Sequence, residues 1–268
     1  FLAYAYGSPN WTMLGLSGHS CFTPQLAAGY VMQGDFTFPD AAQFLPDRYE
    51  DPEWKCPEVT ICWGSTLNRG CVDHYWSGHW FQDLMKRGAK LVVIDPRCTW
   101  EATRAELWLQ PRPGTDGALA LAFLNVVTKE GLVDKAFIDK WCSGYDKLAE
   151  RVKEFTPEWA EKISWVPKEK IIQCARLYAK AKPASIEIGR PVEGNPEGNQ
   201  VIMNIHRLIA ITGNLDIPGG NVICRSAYGV TTYPYSTEEV IQLYGEPLYR
   251  KLSEKRIGAD KYPLVKNF

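Results

Sequence analysis

Residues Lys90 to Leu119, KLVVIDPRCTWEATRAELWLQPRPGTDGAL, contain two short apolar runs, each ending at a proline. Leu91, Val92, Val93 and Ile94 are unbroken in their apolarity, which predicts a strand buried on both faces. It stops at Asp95-Pro96, where proline removes a ladder donor and forces a turn. A second strand is expected over residues 105–110, closed by Pro111. Arg112-Pro113-Gly114-Thr115-Asp116 then leads into a helical pattern over residues 117–130. An acid at the carboxyl end of a buried strand stands where open α/β sheets bind nucleotides. Asp116, at a loop-to-helix junction, offers paired acceptors to the N–H groups of a guanine edge. Each acid alone also serves as an ordinary cap, Asp95 of its turn and Thr115 or Asp116 of the next helix. The two together, each after a short strand, favour a nucleotide.

Working outward, strands are expected at residues 1–6, 59–63, 90–95, 105–110 and 184–188, alternating mostly with helices. That order predicts an α/β fold: a doubly wound, Rossmann-like, mostly parallel sheet with helices on both faces. Three strand ends carry small or polar residues: Gly64-Ser65-Thr66, Asp95-Pro96-Arg97 and Gly189-Arg190. In a parallel sheet they line one edge, where a dinucleotide binds. Arg190 suits a phosphate or carboxylate through its planar fork, and equally suits a solvated surface. Among the helices, Leu26, Ala27, Tyr30 and Val31 are expected on one buried face, and Val72, Trp76, Trp80 and Leu84 on another, ending near Gly88. Residues 133–181 read as several helical pieces, two of them starting at Thr156-Pro157 and Pro167, with Trp141, Trp159 and Trp165 as core packing. Residues 35–58 read as a long surface loop. The expected division is a dinucleotide-binding domain over 1–190 and part of an adjoining, incomplete α/β lobe over 191–268.

Of 268 residues, 45% are hydrophobic and the net charge is −1, which gives no footprint for nucleic acid or an anionic membrane. No apolar run reaches the roughly 18–20 residues of a spanning helix. The opening FLAYAYGSPN lacks the basic start of a signal peptide, and its first residue, Phe1, suggests a piece of something longer, soluble in the cytoplasm or periplasm. Eight cysteines without a C-x-x-C pair argue against a zinc site or a local iron–sulfur cluster and read mostly as small buried hydrophobes.

IDPR (94–97), the short strand after it, and RPGTD (112–116) resemble the guanosine-binding part of the molybdopterin oxidoreductase family, dimethyl-sulfoxide-reductase type. Ile61-Cys62-Trp63-Gly64-Ser65-Thr66-Leu67-Asn68 and the segment from Asn214 to Asn221, NLDIPGGN, support the likeness. The resemblance implies that Asp95, with Pro96 and Arg97, holds the guanosine ribose and that Asp116, with Gly114 and Thr115, holds guanine. It implies that Gly64, Ser65, Thr66 and Asn68 touch the pterin, with Gly189 and Arg190 nearby. In Gly18-His19-Ser20-Cys21-Phe22-Thr23-Pro24 it implies Cys21 as the protein ligand of molybdenum or tungsten, Ser20 as the alternative donor and His19 as a proton carrier. The parent would hold a bis-molybdopterin guanine dinucleotide, with an iron–sulfur cluster in an amino-terminal segment, a small-molecule substrate and an electron-transfer subunit as partner. The isolated chain is expected to bind the dinucleotide weakly and to carry no metal. The wording is closest to acetylene-hydratase and catechol-dehydroxylase-like members. Two other readings stay open: a nicotinamide dehydrogenase, which needs a G-x-G-x-x-G turn where this chain has Gly7-Ser8-Pro9-Asn10-Trp11, and a structural domain without cofactor.

Overall fold

The computed structural model describes residues 23–35, 37–40, 52–66, 74–223 and 245–255. The strand expected at 1–6, and His19, Ser20, Cys21 and Asn68, lie outside the described residues. The elements in order are α1 (Thr23–Gln33), β1 (Thr37–Pro39), β2 (Val59–Trp63), α2 (His74–Lys86), β3 (Lys90–Ile94) and β4 (Leu107–Leu109). There follow α3 (Asp116–Lys129), α4 (Lys135–Trp141), α5 (Tyr145–Arg151), α6 (Pro157–Ser164), α7 (Lys168–Lys180) and β5 (Ala184–Ile188). Last come α8 (Arg190–Glu193), α9 (Gly198–Ile211), β6 (Asn221–Ile223) and α10 (Glu246–Glu254). Residues 17–224 form one compact unit; a second comprises 1–16 and 225–268, of which α10 is described.

Among the described residues, four strands form a parallel sheet in the order β4-β3-β2-β5. Their side chains alternate between two apolar layers, as the period of two requires. Val59, Ile61 and Trp63 of β2, with Val92, Ile94, Leu107, Leu109, Ile186 and Ile188, join the large cluster built by α3, α7 and α9. Cys62, Leu91 and Val93 face the other way, against Phe81 of α2 and Ala102. β2 is therefore buried at every position, which is why its sequence is a continuous apolar run rather than an alternation.

The expected strand at 105–110 is shorter, because a 3-10 turn over Ala102–Arg104 delivers the chain to the sheet only at Leu107. Beyond β5, the expected polar loop is the single helical turn α8. The apolar face of α9, with Val201, Ile202, Ile205 and Ile209, joins the main core. α1 forms where expected, but the buried side carries Pro24, Gln25, Ala28 and Gly29, while Tyr30 and Val31 are exposed. Side-chain bonds rather than an apolar stripe fix it: Gln25 Nε2 donates to Ile188 O at 3.1 Å, and Gln33 Oε1 pairs with His206 Nδ1 at 3.0 Å. Trp141 and Trp165 are also exposed, against expectation. Trp159 is partly buried against the core.

The open edge of β5 is closed by two asparagines from the NLDIPGGN segment. Asn214 Oδ1 accepts from Ala184 N at 3.0 Å, and the Asn221 amide bonds both N and O of Ile186, at 2.8 and 2.9 Å. The two side chains stand in for a neighbouring strand and satisfy edge groups that would otherwise be left buried or free to pair. Asn221 also begins β6, which pairs antiparallel with β1 inside the region read as loop.

Where β2 and β5 end, the chain has no spare volume. A Cβ on Gly189 would stand 1.9 Å from the carbonyl oxygen of Gly64, and Gly64 itself has φ +61°. In contrast, a Cβ on Gly194 meets only Arg190 O at 3.6 Å, an ordinary contact. Gly189→Ala is expected to cost about 1–3 kcal/mol or more through overpacking, and Gly194→Ala to stay within about 0.5 kcal/mol. Denaturant midpoints of the two variants check this.

Candidate functional site

The chain leaves β2 towards β3 on one side, and β5 returns to its other side. The carboxyl ends of β2 and β5 thus flank the point where the strand order reverses, the topological switch point at which open parallel sheets bind ligands. Four segments reach this edge: Gly64-Ser65-Thr66 after β2, Asp95-Pro96-Arg97 after β3, the 111–116 loop after β4, and Gly189 with α8 after β5.

Asp95 continues the ladder by one bond, its N–H donating to Leu109 O at 3.1 Å. The residue is 1% exposed and its side chain 2%. Oδ1 accepts from Arg97 N at 2.7 Å, the local turn that an aspartate makes two residues on. The Arg97 guanidinium approaches the same oxygen at 3.5 Å, and its Nη2 donates to Thr66 Oγ1 at 3.2 Å. Asp95 therefore does cap its turn, and it also binds the β2 and β3 ends together through Arg97. Pro96 is exposed.

Asp116 is half-buried at the first position of α3. Its Oδ1 accepts from Trp63 Nε1 at 2.7 Å, and Asn195 Nδ2 stands 3.5 Å from Oδ2. Thr115 turns back instead of capping the helix, donating from Oγ1 to Arg112 O at 2.6 Å. Gly114, at φ +82°, makes that turn. Burial raises the Asp116 pKa, the Trp63 bond opposes it, and the charge of Asp95 adds to the rise. Ser65 is buried beside these groups, and its Oγ has no hydrogen-bond partner. An orphaned hydroxyl at a strand end fits a polar ligand group, since buried hydroxyls are otherwise satisfied. Gly189 is packed against Gly64, whereas Arg190 is exposed.

The structure thus brings Ser65, Thr66, Asp95, Arg97, Gly114, Thr115, Asp116 and Gly189 to one edge. Sequence reasoning missed Trp63 and Asn195 as partners of Asp116. An indole at the last position of a fully buried strand was the available signal, because its N–H has to find an acceptor. For Asn195 there was none: only the turn of α8 carries it over the 111–116 loop. Gln25, tied to Ile188 O and to Glu193 Oε1 at 2.6 Å, was missed too. Among the described residues no group of three His, Cys, Asp or Glu could hold a metal ion. Cys62 and Cys174 are buried as expected, with thiols pushed up by burial, but Cys98 is exposed.

A molybdopterin oxidoreductase family model matches residues 13–254, and the chain belongs to that family. It is 34% identical to the acetylene hydratase of Syntrophotalea acetylenica over 262 residues, 97% of this chain and 32% of that protein. It is 43% identical to the alpha subunit of an F420-dependent formate dehydrogenase of Methanocaldococcus jannaschii over 136 residues, 51% of this chain and 20% of that one. A dimethyl sulfoxide reductase of Escherichia coli is 38% identical over 175 residues, 58% and 21% of the two chains. The solved acetylene hydratase of Pelobacter acetylenicus superposes with a TM-score of 0.74 at 27% identity, over 97% of this chain and 32% of that one. The chain spans between a fifth and a third of the length of these relatives. Among the described residues no helix is long and apolar enough to cross a membrane.

On the second face of the sheet, Glu187 of β5 lies opposite Cys62 in register. Glu187 is half-buried, and burial pushes its pKa up to about 8. A carboxyl raised in the folded state favours folding while protonated. Its contribution is complete below the unfolded value of about 4.3 and is lost as pH rises through about 8. Glu187→Gln should therefore flatten the fall in stability between about pH 4.3 and 8. Melting temperatures of both forms across that range test it.

Proposed function

We propose that this chain is the part of a molybdenum or tungsten enzyme that holds a molybdopterin guanine dinucleotide and supplies the metal's protein ligand. The observation carrying this reading is the pairing of two carboxylates, Asp95 and Asp116, at the carboxyl edge of a parallel sheet beside its switch point. The doubly wound arrangement belongs to the reading, as do a domain boundary near residue 190 and an adjoining lobe beyond it. Asp95, steadied by Arg97, takes the ribose hydroxyls; Asp116, at the head of α3, takes the N–H groups of guanine. Gly64, Ser65, Thr66 and Asn68 lie against the pterin, Ser65 through its orphaned hydroxyl. Gly189 keeps the backbone low enough for the ligand, and Arg190, exposed at the first position of α8, offers its fork to a phosphate.

Cys21 is the proposed metal ligand. It lies outside the described residues, two positions before Thr23, where α1 begins. Gln25 in the first turn of α1 is bonded to the end of β5, which brings the start of that helix to the switch point. A soft thiolate suits molybdenum or tungsten, and a helix N-terminus favours the deprotonated form. His19 moves a proton at the substrate, and Ser20 is the alternative donor. The bound metal supplies two-electron redox or Lewis-acid chemistry, and this chain orients and encloses the group that carries it. The substrate is a small molecule. The remaining length of the relatives suggests further segments that complete a second dinucleotide site and carry an iron–sulfur cluster, with an electron-transfer subunit as partner.

The test uses the full-length protein. Asp116→Asn is expected to lose the dinucleotide of this site and so to release about half of the wild-type guanine on denaturation, the second site being untouched. Cys21→Ala is expected to remove one sulfur from the metal's coordination by X-ray absorption while leaving that nucleotide content intact. Undiminished guanine in Asp116→Asn ends the guanosine assignment, and an unchanged sulfur count ends that of Cys21.

A further inference from the structure

The groups around Asp116 stand in a fixed order. Trp63 Nε1 donates to Oδ1 at 2.7 Å and holds the carboxylate's rotation, because Trp63 itself is wholly buried and set edge-on to Phe123, ring centroids 5.6 Å apart. On the far side, Asn195 Nδ2 stands 3.5 Å from Oδ2 and donates to Pro191 O at 3.2 Å. Both neighbours of that atom are acceptors, so the amide presents its nitrogen and not its oxygen to the carboxylate. A separation of 3.5 Å is the outer limit of a hydrogen bond, and the second amide proton is free to turn to a better acceptor. Read along the edge, the order is indole N–H, Oδ1, Oδ2, amide N–H.

Guanine presents an amino N2–H, a ring N1–H and the O6 carbonyl in one line. Laid beside this edge, N2–H meets Oδ1, N1–H meets Oδ2 and O6 meets the amide. We propose that Asn195 is the residue by which this site selects guanine, donating from Nδ2 to O6 while Asp116 accepts from N1 and N2. The proposal rests on the guanosine reading of Asp116 and deepens it. Adenine would set its N1 acceptor against Oδ2 and its N6 donor against the amide, leaving both pairs repulsive and unbonded. Gly114 lies beside the amide: a Cβ there would stand 3.5 Å from Asn195 Oδ1, an ordinary contact, and it is the φ of +82° that the 111–116 turn requires of this residue. Trp63 and Asn195 are thus positioning and specificity residues around a carboxylate that does the binding.

The experiment takes the full-length protein, prepared free of cofactor, and measures calorimetric binding of GMP, AMP and 6-thio-GMP. The last keeps N1–H and N2–H but carries a weakly accepting sulfur at position 6. The wild type is expected to bind GMP at least about tenfold more tightly than either. Asn195→Leu, of similar size, and Asn195→Ser are each expected to weaken GMP about tenfold while 6-thio-GMP stays within about twofold, which also verifies that the site is folded. An unchanged ratio of GMP to 6-thio-GMP affinity in both variants overturns the role of Asn195. Asp116→Asn separates the two ideas: lost GMP binding there, with an unchanged ratio in the Asn195 variants, leaves the guanosine reading standing and removes only this one. Equal GMP binding in wild type and Asp116→Asn removes both.

Discussion

Strand β2 is paired on both sides, buried on both faces, and pinned at its last peptide. Gly64 N donates to Ile94 O and Gly189 N to Trp63 O, both at 2.8 Å, so the ends of β3, β2 and β5 are drawn to one level. No side chain fits between Gly64 and Gly189. The close backbone contact sets where each following segment leaves the sheet, and with it the positions of Ser65, Asp95 and α8. In a parallel sheet every carboxyl end lies on the same side, so functional groups from distant parts of the chain converge without any direct pairing between them.

Two carboxylates on one enclosed edge repel, and the protein offsets this with donors rather than with a buried counter-charge. Asp95 takes the Arg97 N–H and a mostly exposed guanidinium; Asp116 takes the Trp63 indole. Hydrogen bonds to a charged group contribute roughly 1.5–3 kcal/mol each, which offsets part of the cost of taking Asp95 and Asp116 out of water. Neither acid is saturated, which leaves acceptor capacity for a ligand.

The framework around this edge is held by polar side chains in places where apolar packing would be expected. Asn214 and Asn221 close the free edge of β5, and Gln25 and Gln33 pin the two ends of α1. Burial of His206 lowers its pKa to about 4, which keeps it neutral opposite Gln33 at ordinary pH. The two asparagine amides satisfy backbone groups of β5 that no neighbouring strand reaches, a requirement that the apolar core by itself does not meet.

Local pattern alone identified β2, β3 and β5, because a strand buried on both faces must be written as a continuous apolar run. It also marked Asp95 and Asp116, since prolines and glycines punctuate the strand ends where those acids stand. The family resemblance rested on the same short segments, and the family match bears it out. Periodicity misjudged α1: Leu26, Ala27, Tyr30 and Val31 share a helical face, but two glutamines hold the opposite face inward. It misjudged Trp141 and Trp165 as well, because side-chain apolarity says what can be buried and not what another element covers. Strand order, the Gly64–Gly189 contact and the placing of Trp63 and Asn195 on either side of Asp116 were decided by tertiary structure. They join residues 53 and 79 positions from Asp116 along the chain, and no local pattern records a neighbour brought in by the folding of the whole sheet.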